Sequence, residues 1–255
     1  MGVAGMSSVL GATAAEKTDR PAREFYELRL YHLRRGPKQK LFDDYVRDAA
    51  IPAMKRAGIG PIGVFNVMIS SDNPKVYVLI PYKSLDVFAT IRDRLRNEAE
   101  YQKAGAEFLS PPATDPAYVR VESSLMVAFA GMPKLEVPAA LAEKKPRIFE
   151  LRTYESHSQK ANRKKVEMFN TAEIAIFRHT GLVPVFFGET LIGTRLPNLT
   201  YMLVHESLAS RDANWGKFPE DPEWKKLSTS PGYGNEEIVS NISSILLQPT
   251  ASSQI

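Results

Sequence analysis

Tyr26-Glu27-Leu28-Arg29-Leu30-Tyr31, near the start of the chain, reappears as Phe149-Glu150-Leu151-Arg152-Thr153-Tyr154. The second copy lies 123 positions after the first. Holding that shift sets Ala49 on Ala172, Ile51 on Ile174, Gly58 on Gly181, Pro61 on Pro184, Ile69 on Ile192 and Pro74 on Pro197. Ser84-Leu85 then meets Ser207-Leu208, and Glu100-Tyr101 meets Glu223-Trp224. No gap is needed from residue 26 to residue 104. The matches fall on turn and strand residues, as a duplicated supersecondary unit requires. Near the end of each copy the shift drops by three, setting Ser123-Ser124-Leu125 on Ser243-Ser244-Ile245. A period this long means two small domains rather than a solenoid. The expected division is a tail or signal-peptide remnant over 1–24, a first repeat over 25–130, a linker over 131–146, a second repeat over 147–248 and a short tail over 249–255.

Each copy reads as β-α-β-β-α-β. Period-two alternation from residue 25 to 32 predicts a strand. Gly36-Pro37 opens a helix, with proline at the first position where its missing N–H costs nothing. Gly58 ends it as a left-handed cap, and Gly181 does the same in the second copy. Pro52 stands inside the first helix where Ala175 stands in the second, so a kink or early end is expected there. Strands follow at 62–69 and 76–82, around Ser71-Asp72-Asn73-Pro74, with counterparts at 184–192 and 199–205. Ser84 and Ser207 are placed to cap the second helices. Last strands are expected at 118–129 and 236–247.

That order predicts an α+β fold, a ferredoxin-like unit twice over, with both helices on one sheet face. The other face is bare and needs a cover. Two such sheets in one chain cover each other most simply, as an intramolecular dimeric α/β barrel with helices outside.

The chain has 255 residues, 44% of them hydrophobic and 24% charged, which is enough to bury a core. Lys+Arg at 33 against Asp+Glu at 29 gives a net charge of only +4, too small and too scattered for a nucleic-acid partner. Cysteine is absent, which excludes disulfides and thiolate chemistry. No apolar run is long enough for an integral membrane segment. Residues 2–15 are small and apolar, and Ala12-Thr13-Ala14 has the form of a signal-peptidase site without a basic stretch before it. A periplasmic or secreted location is the expectation, with the cytoplasm left open. Gly-x-Ser-x-Gly, P-loop and Gly-x-Gly-x-x-Gly patterns are missing, and no histidine pair has zinc spacing. No cofactor and no metal is expected.

If Tyr26, Leu28 and Leu30 face the helices, as do Phe149 and Leu151, then Glu27, Arg29, Tyr31, Glu150, Arg152 and Tyr154 point between the sheets. His205 joins them from a strand end. Such a cluster is either a salt-bridge network fixing the registry of the two sheets or a polar cavity. In the cavity reading arginine holds an anion, and tyrosine or glutamate moves a proton. Trp215 and Trp224 read as packing aromatics. The basic runs that open the first helices read as solvated faces.

The twin strand motifs, each followed by a helix ending in Gly58-Ile59 or Gly181-Leu182, resemble the NIPSNAP domain. So does His205-Glu206-Ser207-Leu208-Ala209-Ser210-Arg211 with Trp215 and Asp221-Pro222-Glu223-Trp224. The second copy is the better match, since the first lacks both tryptophans. The resemblance spans residues 25–248 and implies the dimeric α/β barrel. It brings no established catalytic residues. Animal members are tied to mitochondria, vesicle traffic and protein binding, and bacterial ones mostly lack an assigned reaction. The expectation is a protein that binds a small molecule between its two sheets, with or without cofactor-free catalysis. The alternative is a non-enzymatic interaction domain with a fully packed barrel. Further association of the fused pair is left open.

Overall fold

The computed structural model describes residues 22–70, 72, 74–137, 139 and 146–255. The signal-like stretch, two residues of the first turn motif and most of the charged end of the linker lie outside them. Eight antiparallel strands close into one barrel in the order β1-β3-β2-β8-β5-β7-β6-β4. The first repeat supplies β1 (Phe25–His32), β2 (Gly63–Val67), β3 (Lys75–Tyr82) and β4 (Arg120–Ala128). The second supplies β5 (Ile148–Glu155), β6 (Val183–Ile192), β7 (Asn198–His205) and β8 (Asn241–Pro249). Each repeat thus runs β-α-β-β-α-β, and its first strand pairs with its third and fourth.

The halves do not simply lie face to face. Their sheets join edge to edge through β2–β8 and β4–β6. Closure gives every strand two neighbours, but the seams are short: Phe65–Val67 pair with Leu247–Pro249, and Leu125–Ala128 pair with β6. At the β4–β6 seam the backbones come close: a Cβ on Gly188 would sit 2.9 Å from that of Met126. The last residues are not a free tail. Gln254 and Ser253 accept hydrogen bonds from the Ile62 and Val64 amides, and Ile255 is fully buried.

Helix ends follow local chemistry. Gly58 and Gly181 adopt φ 73° and 87°, and the Ser84 and Ser207 hydroxyls accept from the Val87 and Ser210 amides. The expected kink at Pro52 takes another form. One π turn, Val46–Ala50, joins α1 (Pro37–Tyr45) to α2 (Ile51–Arg56). The second repeat has the same turn at the same place, Phe169–Glu173, with no proline after it. The wide turn therefore belongs to the repeat, and Pro52 sits in the first turn of the helix that follows. Register also corrects the final offset between the copies. Ser123 lies opposite Arg29 and Ser244 opposite Arg152, so the shift there drops by two, not three.

Inside and outside are the reverse of the expectation. Tyr26, Phe65, Leu79, Met126, Phe149, Leu151 and Met202 pack together inside the barrel. Tyr31, Val78, Ile80 and Tyr82 pack beneath the helices of the first repeat. Glu27 and Arg29 share the parity of Tyr31, and they too face the helices. The interior of an eight-stranded barrel is narrow, and here it takes the more apolar face, with a few hydroxyls at one end. The polar face lies under helices, where gaps admit water. Phe65 and Phe149, one from each repeat, stand 4.8 Å apart between ring centroids. Phe149→Ala should cost about 3–5 kcal/mol, read as a lowered urea midpoint with an unchanged m-value.

Candidate functional site

Because the polar faces turn outward, the six strand residues form two separate sites, one per repeat. In the first, the Glu27 carboxylate is buried and fully bonded. Arg29 donates Nε and Nη2 to its two oxygens at 2.8 Å each. Tyr82 Oη donates at 2.8 Å and Ser123 Oγ at 2.9 Å. Burial would raise this carboxyl, but the Arg29 hydrogen bonds and charge, then Tyr82 and Ser123, outweigh it and hold it below its ordinary value. Glu27 is thus a fixed anion that orients Arg29, and it is poorly suited to move a proton. Arg29 Nη1 has no protein hydrogen bond among the described residues.

Arg29 and Tyr31 line an open cavity of about 480 Å³ under α3 (Leu85–Arg96), the next helix of the first repeat. Ile91, Leu95, Tyr101 and Tyr118 form its apolar wall, and Arg92 and Arg96 stand at its edge. Arg29, Tyr31, Leu95 and Tyr101 also wall a deeper hollow of about 40 Å³ beside the π turn. There Tyr45 and Tyr101 share a hydrogen bond at 2.7 Å between hydroxyls. Burial raises both phenols, so neither ionises near neutrality.

The second repeat keeps the motif and fills the space. Glu150 is fully buried and accepts from Arg152, Arg211, Trp215 Nε1 and Ser244 at 2.6–2.9 Å. His205 Nε2 lies 3.4 Å away, and neither ring nitrogen makes a hydrogen bond of good geometry among the described residues. Burial would raise the Glu150 carboxyl, but His205, then Arg211, Ser244 and Trp215, carry it far below the carboxylate range. The Trp215 ring lies 4.4 Å from the Arg152 guanidinium carbon. Trp215, Phe218 and Trp224 pack where the first repeat has Arg92, Leu95 and Tyr101.

The expected location between the sheets is therefore corrected. The barrel interior is packed at one end and holds a chamber of only about 80 Å³ at the other, lined by Ser124, Thr153, Thr200 and Ser243. That admits a few waters. Nor is His205 at an open mouth; its side chain is fully buried. Sequence reading missed Tyr82, Arg92, Ser123, Arg211 and Ser244 as partners and took Trp215 for packing alone. The duplication held a signal for three of these: the strand-end match of Tyr82 to His205 puts both beside a glutamate, and Ser123 and Ser244 stand in corresponding places.

Two further clusters separate the repeats. Lys165 and Glu173 form a buried ion pair at 2.9 Å in the second, where the first has Phe42 and Ala50. His179, Asp221 and Glu223 place ligand-type atoms within 4.8 Å of one another. Their counterparts Arg56, Glu98 and Glu100 are an ion-pair clamp between helices, and His179 bonds Asp221 at 2.6 Å in the same way. Burial already holds the Glu173 carboxyl above its ordinary value despite Lys165. Lys165→Met strands it, at a cost of about 3–5 kcal/mol. An acid whose folded pKa is raised stabilises below its unfolded pKa and loses that stability as pH rises. The variant should therefore lose stability progressively as pH rises above about 4.3 and recover toward pH 4. Lys165→Phe with Glu173→Ala, the first repeat's own residues, should restore most of the loss. Denaturation across pH checks both.

A search of curated proteins finds no match. Among solved structures, the chain is similar to a protein proposed to be a monooxygenase from Fusobacterium nucleatum, at TM-score 0.56 and 9% identity over 90% of this chain and 93% of that one. It is similar to another so described from Lactobacillus acidophilus, at 0.57 and 6% over 89% and 94%. A third, an anthrone oxidase-like protein, gives 0.52 and 12% over 91% and 93%. At these identities the likeness is one of fold. The NIPSNAP family profile matches residues 26–130 and 149–254, once per repeat and over most of the chain, so the protein belongs to the NIPSNAP family.

Proposed function

We propose that the first repeat binds a planar, largely apolar small molecule carrying an anionic or phenolic oxygen, and that the second repeat is its scaffold. The observation that carries this is the cavity of about 480 Å³ under α3, with Arg29 on its floor. Its volume lies in the range of small-molecule sites. Aromatic walls suit a flat ligand. An arginine already oriented by a buried carboxylate holds an anion at little further ordering cost. The same charge favours ionisation of a bound phenol. The strand order in each half supports reading it as a ferredoxin-like unit, and the whole as the single-chain counterpart of a dimeric α/β barrel. One structural neighbour is described as anthrone oxidase-like, a description in keeping with a flat ligand. The second repeat, with its glutamate saturated and its space filled by tryptophan, supports the packed, non-catalytic reading for that half alone.

The comparison between repeats supplies the test. Arg92→Trp with Leu95→Phe imports the residues that fill the second repeat. With anilinonaphthalene sulfonate as a planar anionic probe, the wild type should bind at a single site and the double variant about tenfold more weakly or not at all. Unchanged binding with an intact fold would remove the proposal.

A further inference from the structure

The exposed apolar side chains of this protein are not scattered. Neighbouring strands in the barrel are all antiparallel, so β2 and β6, four places apart, run the same way. The β2–β3 and β6–β7 hairpins therefore rise from the same rim. Of the thirteen large apolar side chains that stand exposed among the described residues, nine belong to this rim. Ile69 is 89% exposed and Ile192, its repeat counterpart, 66%. Met68, Leu191, Leu196 and Ile242 stand beside them.

The same rim carries surplus positive charge. Four of its acids are paired, Asp72 with Lys75, Asp115 with Lys38, Glu122 with Arg120 and Glu155 with Arg195, and two, Glu236 and Glu237 just before β8, are exposed without an ion pair among the described residues. Arg34 and Arg35, just after β1, are exposed and make no ion pair among the described residues. Lys160 and Arg163, just after β5, are likewise exposed and unpaired. Apolar tips ringed by free cations are complementary to one kind of surface. We infer that this rim docks on an anionic lipid bilayer, the hairpin tips entering the interface and the basic residues meeting headgroups. A second copy is a poorer occupant, because on this rim the free cations Arg34, Arg35, Lys160 and Arg163 outnumber the free acids Glu236 and Glu237. The tips are hairpin ends that stand well clear of the core, and a bilayer yields to them where a folded partner would need matching hollows.

Co-sedimentation of the full chain with vesicles tests this. Binding is expected to phosphatidylcholine vesicles containing phosphatidylserine, about fivefold or more above pure phosphatidylcholine, and to weaken with added salt. Ile69→Asp with Ile192→Asp changes only exposed tips, so the fold should persist by circular dichroism, and binding should fall about tenfold. Failure of the wild type to sediment with the anionic vesicles would overturn the inference. Equal binding by the double variant would overturn it too, by placing the contact elsewhere in the chain. So would a wild-type dimer that the double variant abolishes, with no vesicle binding by either, since the rim would then be a self-association surface. None of these outcomes depends on the cavity under α3.

Discussion

A buried carboxylate on the first strand of each repeat, answered by an arginine two residues along, is the interaction on which the arrangement rests. Burying either charge alone is prohibitive. The arginine and a hydroxyl from the last strand donate to both oxygens of Glu27 but to only one of Glu150, whose other oxygen accepts from Arg211 and Trp215. This unit sits where sheet meets helices, and it leaves the barrel interior free to be apolar. Two layers follow: a mostly apolar core shared by both halves, with one small polar chamber at its end, and a mixed layer beneath each half's helices.

The repeats then diverge around the same pair. In the first, Tyr82 and Ser123 complete the carboxylate, and Arg29 keeps one amino group toward open space. In the second, Arg211 and Trp215 complete it, and Trp215 also covers Arg152. Tryptophan in the place of Arg92 is the difference between an arginine open to a cavity and an arginine covered by a ring. The π turn is common to both halves. It displaces the next helical segment, and beneath it one half has a hollow while the other has Lys165 and Glu173.

Much of the fold was legible because duplication doubles the weak local signals. Gly58 and Gly181, or Ser84 and Ser207, each say little alone; at one shared shift they fix helix ends in both copies. The facing of the strands was not legible. Tyr26, Leu28 and Leu30 alternate with Glu27, Arg29 and Tyr31, and period-two patterning identifies two faces without saying which meets the other sheet. That choice is made by the narrowness of a closed barrel, a property of all eight strands together. The partners of Glu150 were hidden for a related reason: Arg211 and Trp215 come from a helix some sixty residues away.

The seams β2–β8 and β4–β6 join two halves that are one polypeptide. In a pair of identical subunits any change appears twice, so a mutation that closes one pocket closes both. Covalent linkage removes that constraint. Each half can drift while the other preserves whatever the ancestor did, and the rigid architecture lets one lose its vacancy without the other collapsing. The tryptophan-sealed half is therefore informative about the open one: it records a packing solution that the same backbone tolerates once the need for an opening is gone.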